Sequence, residues 1–232
     1  MLKIYGLQKM TLLDYPGHVA CTVFLNACNF RCPYCHNFEL VTGDAPPVMG
    51  TEELFSFLDK RRGLLDGVAI TGGEPCLHPE LPELIRGIRA HGFKVKLDTN
   101  GCYPAMLRRL LEEGLVDYVA MDIKNCPGRY AETVGLSEID LTPVQESVSL
   151  LMNSGIDYEF RTTVVDELHS ETDFALIGQW IKGAKRYYLQ AFTDRDTVPF
   201  GGLHAPSAEK MKNCLAQVKP WVEAAELRGV DG

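Results

Sequence analysis

Six times along this chain a short run rich in β-branched and aromatic residues gives way to a turn and then to an amphipathic helical stretch. That recurrence constrains the fold more than any other feature. The strand-like runs fall at 18–25, 67–71, 93–98, 117–122, 157–164 and 186–192, and the helical patterns at 51–62, 80–91, 104–113, 142–154, 171–182 and 206–219. Prolines mark several helix starts, and Gly63, Gly92, Gly114 and Gly155 stand where helices should stop. Strands that alternate with helices imply a parallel sheet with right-handed crossovers. Six such units are two short of a closed eight-stranded barrel, and 232 residues leave no room for two more. The expectation is therefore an α/β fold, a partial, open (βα)6 TIM-like barrel. It would form a single domain over 1–232, with 1–17 as an N-terminal extension, 18–192 as the barrel core, and 193–232 as a cover loop and last helix.

Composition narrows the function. Hydrophobic residues make up 46% of the chain and charged residues 23%, ample for one core. With 23 Lys and Arg against 31 Asp and Glu, the net charge is -8, which argues against nucleic acid or an anionic membrane as partner, since both need a basic face. The longest apolar runs are far too short to span a bilayer, and the opening residues lack the basic start and apolar stretch of a signal peptide. The cytoplasm is the expected location.

In parallel α/β folds chemistry gathers where the C-terminal ends of strands and their loops converge. Here those positions carry the cysteine segment with His36-Asn37, then Thr71-Gly72-Gly73-Glu74-Pro75, Asp98-Thr99-Asn100-Gly101, Asp122-Ile123-Lys124-Asn125, Arg161-Thr162-Thr163 and Leu189-Gln190-Ala191-Phe192. Of eight cysteines, Cys28, Cys32 and Cys35 crowd into eight residues. Cys21 and Cys214 read as core packing, Cys76 as a small buried hydrophobe, and Cys102 and Cys126, just past strand ends, stay open. In a cytosolic chain such a cluster points to metal or redox chemistry. A structural zinc wants four ligands, commonly two separated pairs, and no second pair follows. Three thiolates in one loop suit a [4Fe–4S] cluster with one iron open to an exogenous ligand; a zinc-binding module in an inert domain is the non-enzymatic rival.

The spacing C-x3-C-x2-C, with Tyr34 directly before the last cysteine, resembles the radical S-adenosylmethionine superfamily, and Gly72-Gly73-Glu74 is similar to its second landmark. The resemblance implies one [4Fe–4S] cluster held by Cys28, Cys32 and Cys35, with S-adenosylmethionine on the open iron. Tyr34, His36, Gly72, Gly73, Glu74, Asn100, Lys124, Arg161 and Gln190 are the implied cofactor-binding residues, and Lys124 the one candidate for a catalytic side chain. A glycine pair would let backbone approach the cofactor. Glu74 would either accept from the methionyl ammonium or brace its loop, and Arg161 would meet the cofactor carboxylate or make a salt bridge at its strand end.

Cys35-His36-Asn37, Asp98-Thr99-Asn100-Gly101 and Asp122-Ile123-Lys124 resemble segments of glycyl-radical-enzyme activating proteins, in which the two acidic residues help hold a monovalent cation. Asp98 and Asp122 are the implied cation pair. Residues 5–41 are similar to the longer form of anaerobic ribonucleoside-triphosphate reductase activating proteins, and LQAF at 189–192 also fits that form. Pyruvate formate-lyase activators carry a histidine where Thr193 aligns, so Gln190 is the candidate in its place. The implied activity is generation of a glycyl radical on a partner enzyme, with a flavodoxin or ferredoxin-like reductant. A pyruvate formate-lyase-type activase and a small-molecule enzyme of the carboxy-deazaguanine synthase type are the alternatives. The stretch 193–205 reads as a cover or as an ordinary connection, and His78 and His204 as solvent-facing.

Overall fold

A computed structural model describes residues 2–43 and 45–229. Residues 1, 44 and 230–232, which the single-domain expectation includes, lie outside the described residues. In chain order the elements are β1 (Lys3–Ile4), β2 (Gly6–Thr11), β3 (Ala20–Leu25), α1 (Phe38–Thr42), β4 (Met49–Gly50), α2 (Thr51–Asp59), β5 (Gly67–Gly72), α3 (Leu81–Ala90), β6 (Lys94–Thr99), α4 (Pro104–Glu112), β7 (Tyr118–Asp122), α5 (Tyr130–Thr133), α6 (Thr142–Asn153), β8 (Asp157–Val164), α7 (Glu171–Trp180), β9 (Tyr187–Ala191), α8 (Ala208–Val218) and β10 (Ala225–Arg228).

All six expected strands pair in parallel, as β3, β5, β6, β7, β8 and β9. The sheet is longer than expected by a strand at each edge. Its order is β10-β9-β8-β7-β6-β5-β3-β2, with β10 parallel to β9 and β2 antiparallel to β3. The terminal strands of this order do not pair with each other among the described residues, so the barrel stays open. β1 and β4 form a separate antiparallel pair.

Alternation along the strands assigns the two faces. One face carries Val23, Ile70, Leu97, Val119, Phe160 and Leu189, which join helix residues such as Leu84, Ile88, Leu110, Leu151 and Phe174 in the main core. Helix α3 shows why it docks there: Leu81, Leu84, Ile85 and Ile88 are buried at helical spacing on one side. The helix ends before Gly92, whose φ of 91° is the left-handed stop its position calls for.

The opposite, inner face is different in kind. Near the N-terminal strand ends a small cluster of Tyr15, Ala20, Tyr118 and Ala120 packs together. Tyr15, 2% exposed, comes from the segment before β3 and closes that end of the inner face. Next to it Glu159 is fully buried, accepting from the Tyr118 hydroxyl at 2.7 Å and from Arg228 at 2.7 and 2.8 Å, which pins β10 to the sheet. The inner face thus turns from apolar to charged toward the C-terminal ends of the strands. No helix of the described residues is long and apolar enough to cross a membrane.

Candidate active site

At the C-terminal ends of the parallel strands the loops surround a cavity of about 240 Å³. Every candidate site residue named from the sequence lines it. Cys28, Cys32, Tyr34, Cys35 and His36 come from the loop after β3, and Gly72, Gly73 and Glu74 from the end of β5. Asp98 and Asn100 come from β6 and its exit, Asp122 and Lys124 from β7 and its exit, Arg161 from β8 and Gln190 from β9. Phe30, Asn37, Val41, Thr71, Thr99 and Thr163 complete the lining without having been candidates.

The cysteine loop is held by its backbone. Ala27, the one non-glycine residue with positive φ (58°) among those described, turns the chain out of β3, and its N–H donates to Leu40 O at 2.8 Å. The Cys35 N–H donates to Cys32 O at 3.2 Å, and the Arg31 guanidinium donates to Cys28 O and Phe30 O, both at 2.7 Å. Cys28 Sγ accepts from the Phe30 N–H at 3.4 Å. Asn100 Nδ2 reaches across from β6 to Asn29 Oδ1 at 2.8 Å.

Gly72 and Gly73 have a reason the sequence did not disclose. A Cβ on Gly72 would lie 2.2 Å from Leu25 O, and one on Gly73 would lie 1.9 Å from Ala27 O. The pair is required by the close approach of β5 to the start of the cysteine loop, where Gly73 N–H donates to Leu25 O and Glu74 N–H to Ala27 O, both at 2.8 Å. Of its two readings, Glu74 takes the bracing one. Its carboxylate, 1% exposed, accepts from Cys76 N at 2.9 Å, Thr99 Oγ1 at 2.7 Å and Asn100 N at 2.7 Å, tying the β5 exit to the β6 exit. Burial pushes it up to about 7 despite these donors.

Along one wall of the cavity, and beneath it at one end, runs a line of alternating charge: Lys96, Asp98, Arg161, Asp122, Lys124. Lys96 Nζ pairs with Asp98 Oδ1. Arg161 donates from Nη1 to Asp98 Oδ2 at 3.3 Å and from Nε to Asp122 Oδ1 at 3.0 Å, and Lys124 Nζ donates to Asp122 Oδ2 at 2.9 Å. Asp98 on β6 can meet Arg161 on β8 because the β7 residue paired with it is Ala120, whose methyl leaves room. Burial alone would raise Asp122, but Arg161 and Lys124 outweigh it and hold it at about 2. The same contest, won by Arg161 and Lys96, leaves Asp98 below its ordinary value. Lys124 is raised well above its usual value, Asp122 outweighing the cost of burial.

Asp98 and Asp122, the implied monovalent-cation pair, are both tied into this line. Each of their four oxygens already has a cationic side chain as partner, and three such side chains against two carboxylates leave positive charge in excess.

His36 joins two regions far apart in sequence. Its ring stacks on Phe192 with centroids 5.5 Å apart, and its Nε2 donates to Thr193 O at 2.7 Å. The stretch 193–205 forms no helix or strand, and none of its residues lines the cavity. His204 is exposed as expected, whereas His78 is not solvent-facing: it is half-buried, with Nε2 2.8 Å from Asn26 O at the head of the cysteine loop. Cys76, Cys102 and Cys126 stand outside the lining. Cys76 is buried beside Glu74, the Cys102 N–H donates to Asn100 Oδ1 at 3.0 Å, and Cys126 Sγ donates to Asp173 Oδ1 at 3.4 Å.

A partial parallel barrel with three cysteines and a glycine pair on one cavity defines a class of enzyme, and comparison with known proteins gives the family. Residues 22–174 match the Radical SAM superfamily, and the chain belongs to it. A protein of Methanocaldococcus jannaschii, provisionally named a glycyl-radical enzyme activating enzyme, is 29% identical over 235 residues, spanning 99% of this chain and 97% of its own. A 7-carboxy-7-deazaguanine synthase of Hyperthermus butylicus is 38% identical over 96 residues, only 40% of either chain. The crystal structure of Streptococcus suis SuiB bound to S-adenosylmethionine shares the fold, with a TM-score of 0.67 at 10% identity over 90% of this chain and 52% of that one.

Membership implies a [4Fe–4S] cluster and S-adenosylmethionine. The residues present fit both. The three cysteines are free thiols on one loop, and soft thiolates are the ligands iron–sulfur clusters take. Burial raises all three, Cys28 to about 11 and Cys32 to about 12, so their protons are given up to solvent only as a strongly cationic group takes their place. Among the described residues no group of three or more His, Cys, Asp or Glu side chains is placed to hold a single metal ion. The Tyr34 hydroxyl is buried without a hydrogen-bond partner among the described residues, an orphan that a polar ligand in the cavity would satisfy.

Proposed function

We propose that this protein is a glycyl-radical-enzyme activase whose partner is anaerobic ribonucleoside-triphosphate reductase. The observation that carries the chemistry is the convergence of Cys28, Cys32 and Cys35 with Gly73, Asn100, Lys124 and Arg161 on one cavity. When bound, the cluster would supply the electron for reductive cleavage of S-adenosylmethionine, the chemistry that would take a hydrogen atom from one glycine Cα of the partner. Cys28, Cys32 and Cys35 would hold the cluster. Arg161 and Lys124 offer the methionyl carboxylate a positive edge, and Tyr34 offers its hydroxyl. Glu74, Thr99 and Asn100 keep the β5 and β6 exits at a fixed distance from the cysteine loop. The open barrel would admit a polypeptide loop of the partner, with 193–205 beside the mouth as a cover tied down by His36. A flavodoxin or ferredoxin-like protein would deliver the electron.

Support for an activase over a small-molecule radical enzyme comes from the span of the match. The relative named as an activating enzyme aligns over 99% of this chain, the deazaguanine synthase over 40%. The test is to mix the anaerobically reconstituted protein with S-adenosylmethionine, a reductant and candidate glycyl-radical enzymes, and to record EPR spectra. A glycyl doublet on anaerobic ribonucleotide reductase is expected. A doublet only on pyruvate formate-lyase would move the partner, and S-adenosylmethionine cleavage without a doublet on any candidate would move the reading to a small-molecule substrate.

A further inference from the structure

One member of the charged line does not face the cavity. Lys96 is 2% exposed and absent from the lining, one alternation below Asp98 on β6, between Ala69 of β5 and Tyr118 of β7. Holding an ammonium in such a place costs several kcal/mol before pairing, so its one ion pair among the described residues, to Asp98 Oδ1, needs an explanation. Charge supplies one. Without Lys96, Asp98 and Asp122 would be balanced by Arg161 and Lys124 alone, and Asp98 Oδ1 would be a partnerless anionic oxygen beneath the cavity. That is where a dissociable potassium or sodium ion would bind.

We propose that Lys96 is a built-in cation that makes such an ion unnecessary. It is a positioning residue: Lys96 holds Asp98, Asp98 holds Arg161 Nη1, and Arg161 with Lys124 presents a fixed positive edge to the carboxylate of the bound sulfonium ligand. The proposal rests on the S-adenosylmethionine reading above.

Two measurements test it. Binding of S-adenosylmethionine to the cluster-loaded protein is measured anaerobically in potassium, sodium and choline chloride at equal ionic strength. The thermal midpoint of the ligand-free protein is measured in the same salts. The wild type should bind equally in all three, with midpoints agreeing within about 1 °C. Lys96→Met should bind about tenfold more weakly in choline, recover in potassium or sodium, and gain a midpoint that rises with those ions; Lys96→Arg should behave as wild type. Wild-type binding or stability that needs potassium or sodium overturns the proposal, as does a folded Lys96→Met that matches wild type in choline. If Lys96→Met does not fold, the wild-type salt series decides alone. If no S-adenosylmethionine binds in any salt, the functional reading fails instead, and the midpoints still settle whether an ion is held.

Discussion

On the cysteine side of the cavity burial dominates, and the ionisable groups of Cys28, Cys32, Cys35 and Glu74 are all pushed toward their protonated, uncharged forms. On the arginine side, Asp98 and Asp122 are partly buried, and although burial alone would raise them they are held below their ordinary values by Arg161, Lys96 and Lys124. The decisive difference lies in partners. The charged wall carries its counter-ions as side chains and is complete as folded. On the cysteine wall burial outweighs the attraction of Lys124 for the thiolates, and among the described residues no cationic side chain is ion-paired to a thiol, so the bound group would supply the charge that turns thiols into ligands.

Breaking the cysteine wall should have the largest effect. Cys32→Ala should abolish iron binding and S-adenosylmethionine cleavage together while the far-ultraviolet circular dichroism stays native; cleavage that survives would remove the cluster assignment. Breaking the charged wall should cost stability rather than iron. Arg161→Ala leaves two carboxylates facing each other with the bridging cation gone, and a loss of about 3 kcal/mol in urea melts is expected, with iron content unchanged. Gly73→Ala tests the seam between the walls: its methyl must displace Ala27, lowering stability by about 1–3 kcal/mol and reducing cluster incorporation as the cysteine loop shifts.

The pH dependence of the cluster-free protein sharpens the contrast, because the two walls have opposite signs. Glu74 is raised from 4.5 to about 7, so the native state binds its proton more tightly than the unfolded chain; its contribution is complete below 4.5 and lost as pH rises through 7. Asp122 is lowered from 3.8 to about 2, so its contribution is present above 3.8 and lost as pH falls through 2. Denaturant midpoints against pH should show Glu74→Gln flattening the near-neutral limb and Asp122→Asn the acid limb. Either substitution flattening the other limb would refute the assignment. The smallest effect is expected at His36→Ala: about 1 kcal/mol or less in stability, but faster limited proteolysis within 193–205 as the tie to Thr193 is lost.

Much of this was legible in the linear chain. The six parallel strands and their following helices were readable because each depends on a local period and local punctuation. The site residues were readable because strand ends follow from the strands, and α/β folds put chemistry there. What stayed hidden was of another kind. The segment GLQKMT gave no strand signal, because β2 is an edge strand whose formation depends on its pairing with β3. Lys96 carries no local signal beyond being a polar residue in a strand, although its alternation with Asp98 places both on one face. His78 in its Pro-flanked turn gave no sign that the cysteine loop would come back to meet it.

The chain's order of residues by itself determined the alternation that sorts each strand into an apolar and a polar side, the helix stops, and the three sulfurs on one short loop, since all of these act over a few residues. Only the tertiary structure decided that Asp98 and Asp122 are already satisfied by Arg161, Lys96 and Lys124, that Glu74 is a brace, and that Gly72 and Gly73 make way for Leu25 and Ala27. Those outcomes turn on which side chains of different strands lie within 3 or 4 Å of one another, where Coulomb attraction and steric repulsion change steeply with distance, and such distances exist only once the sheet has curved and closed its loops over the cavity.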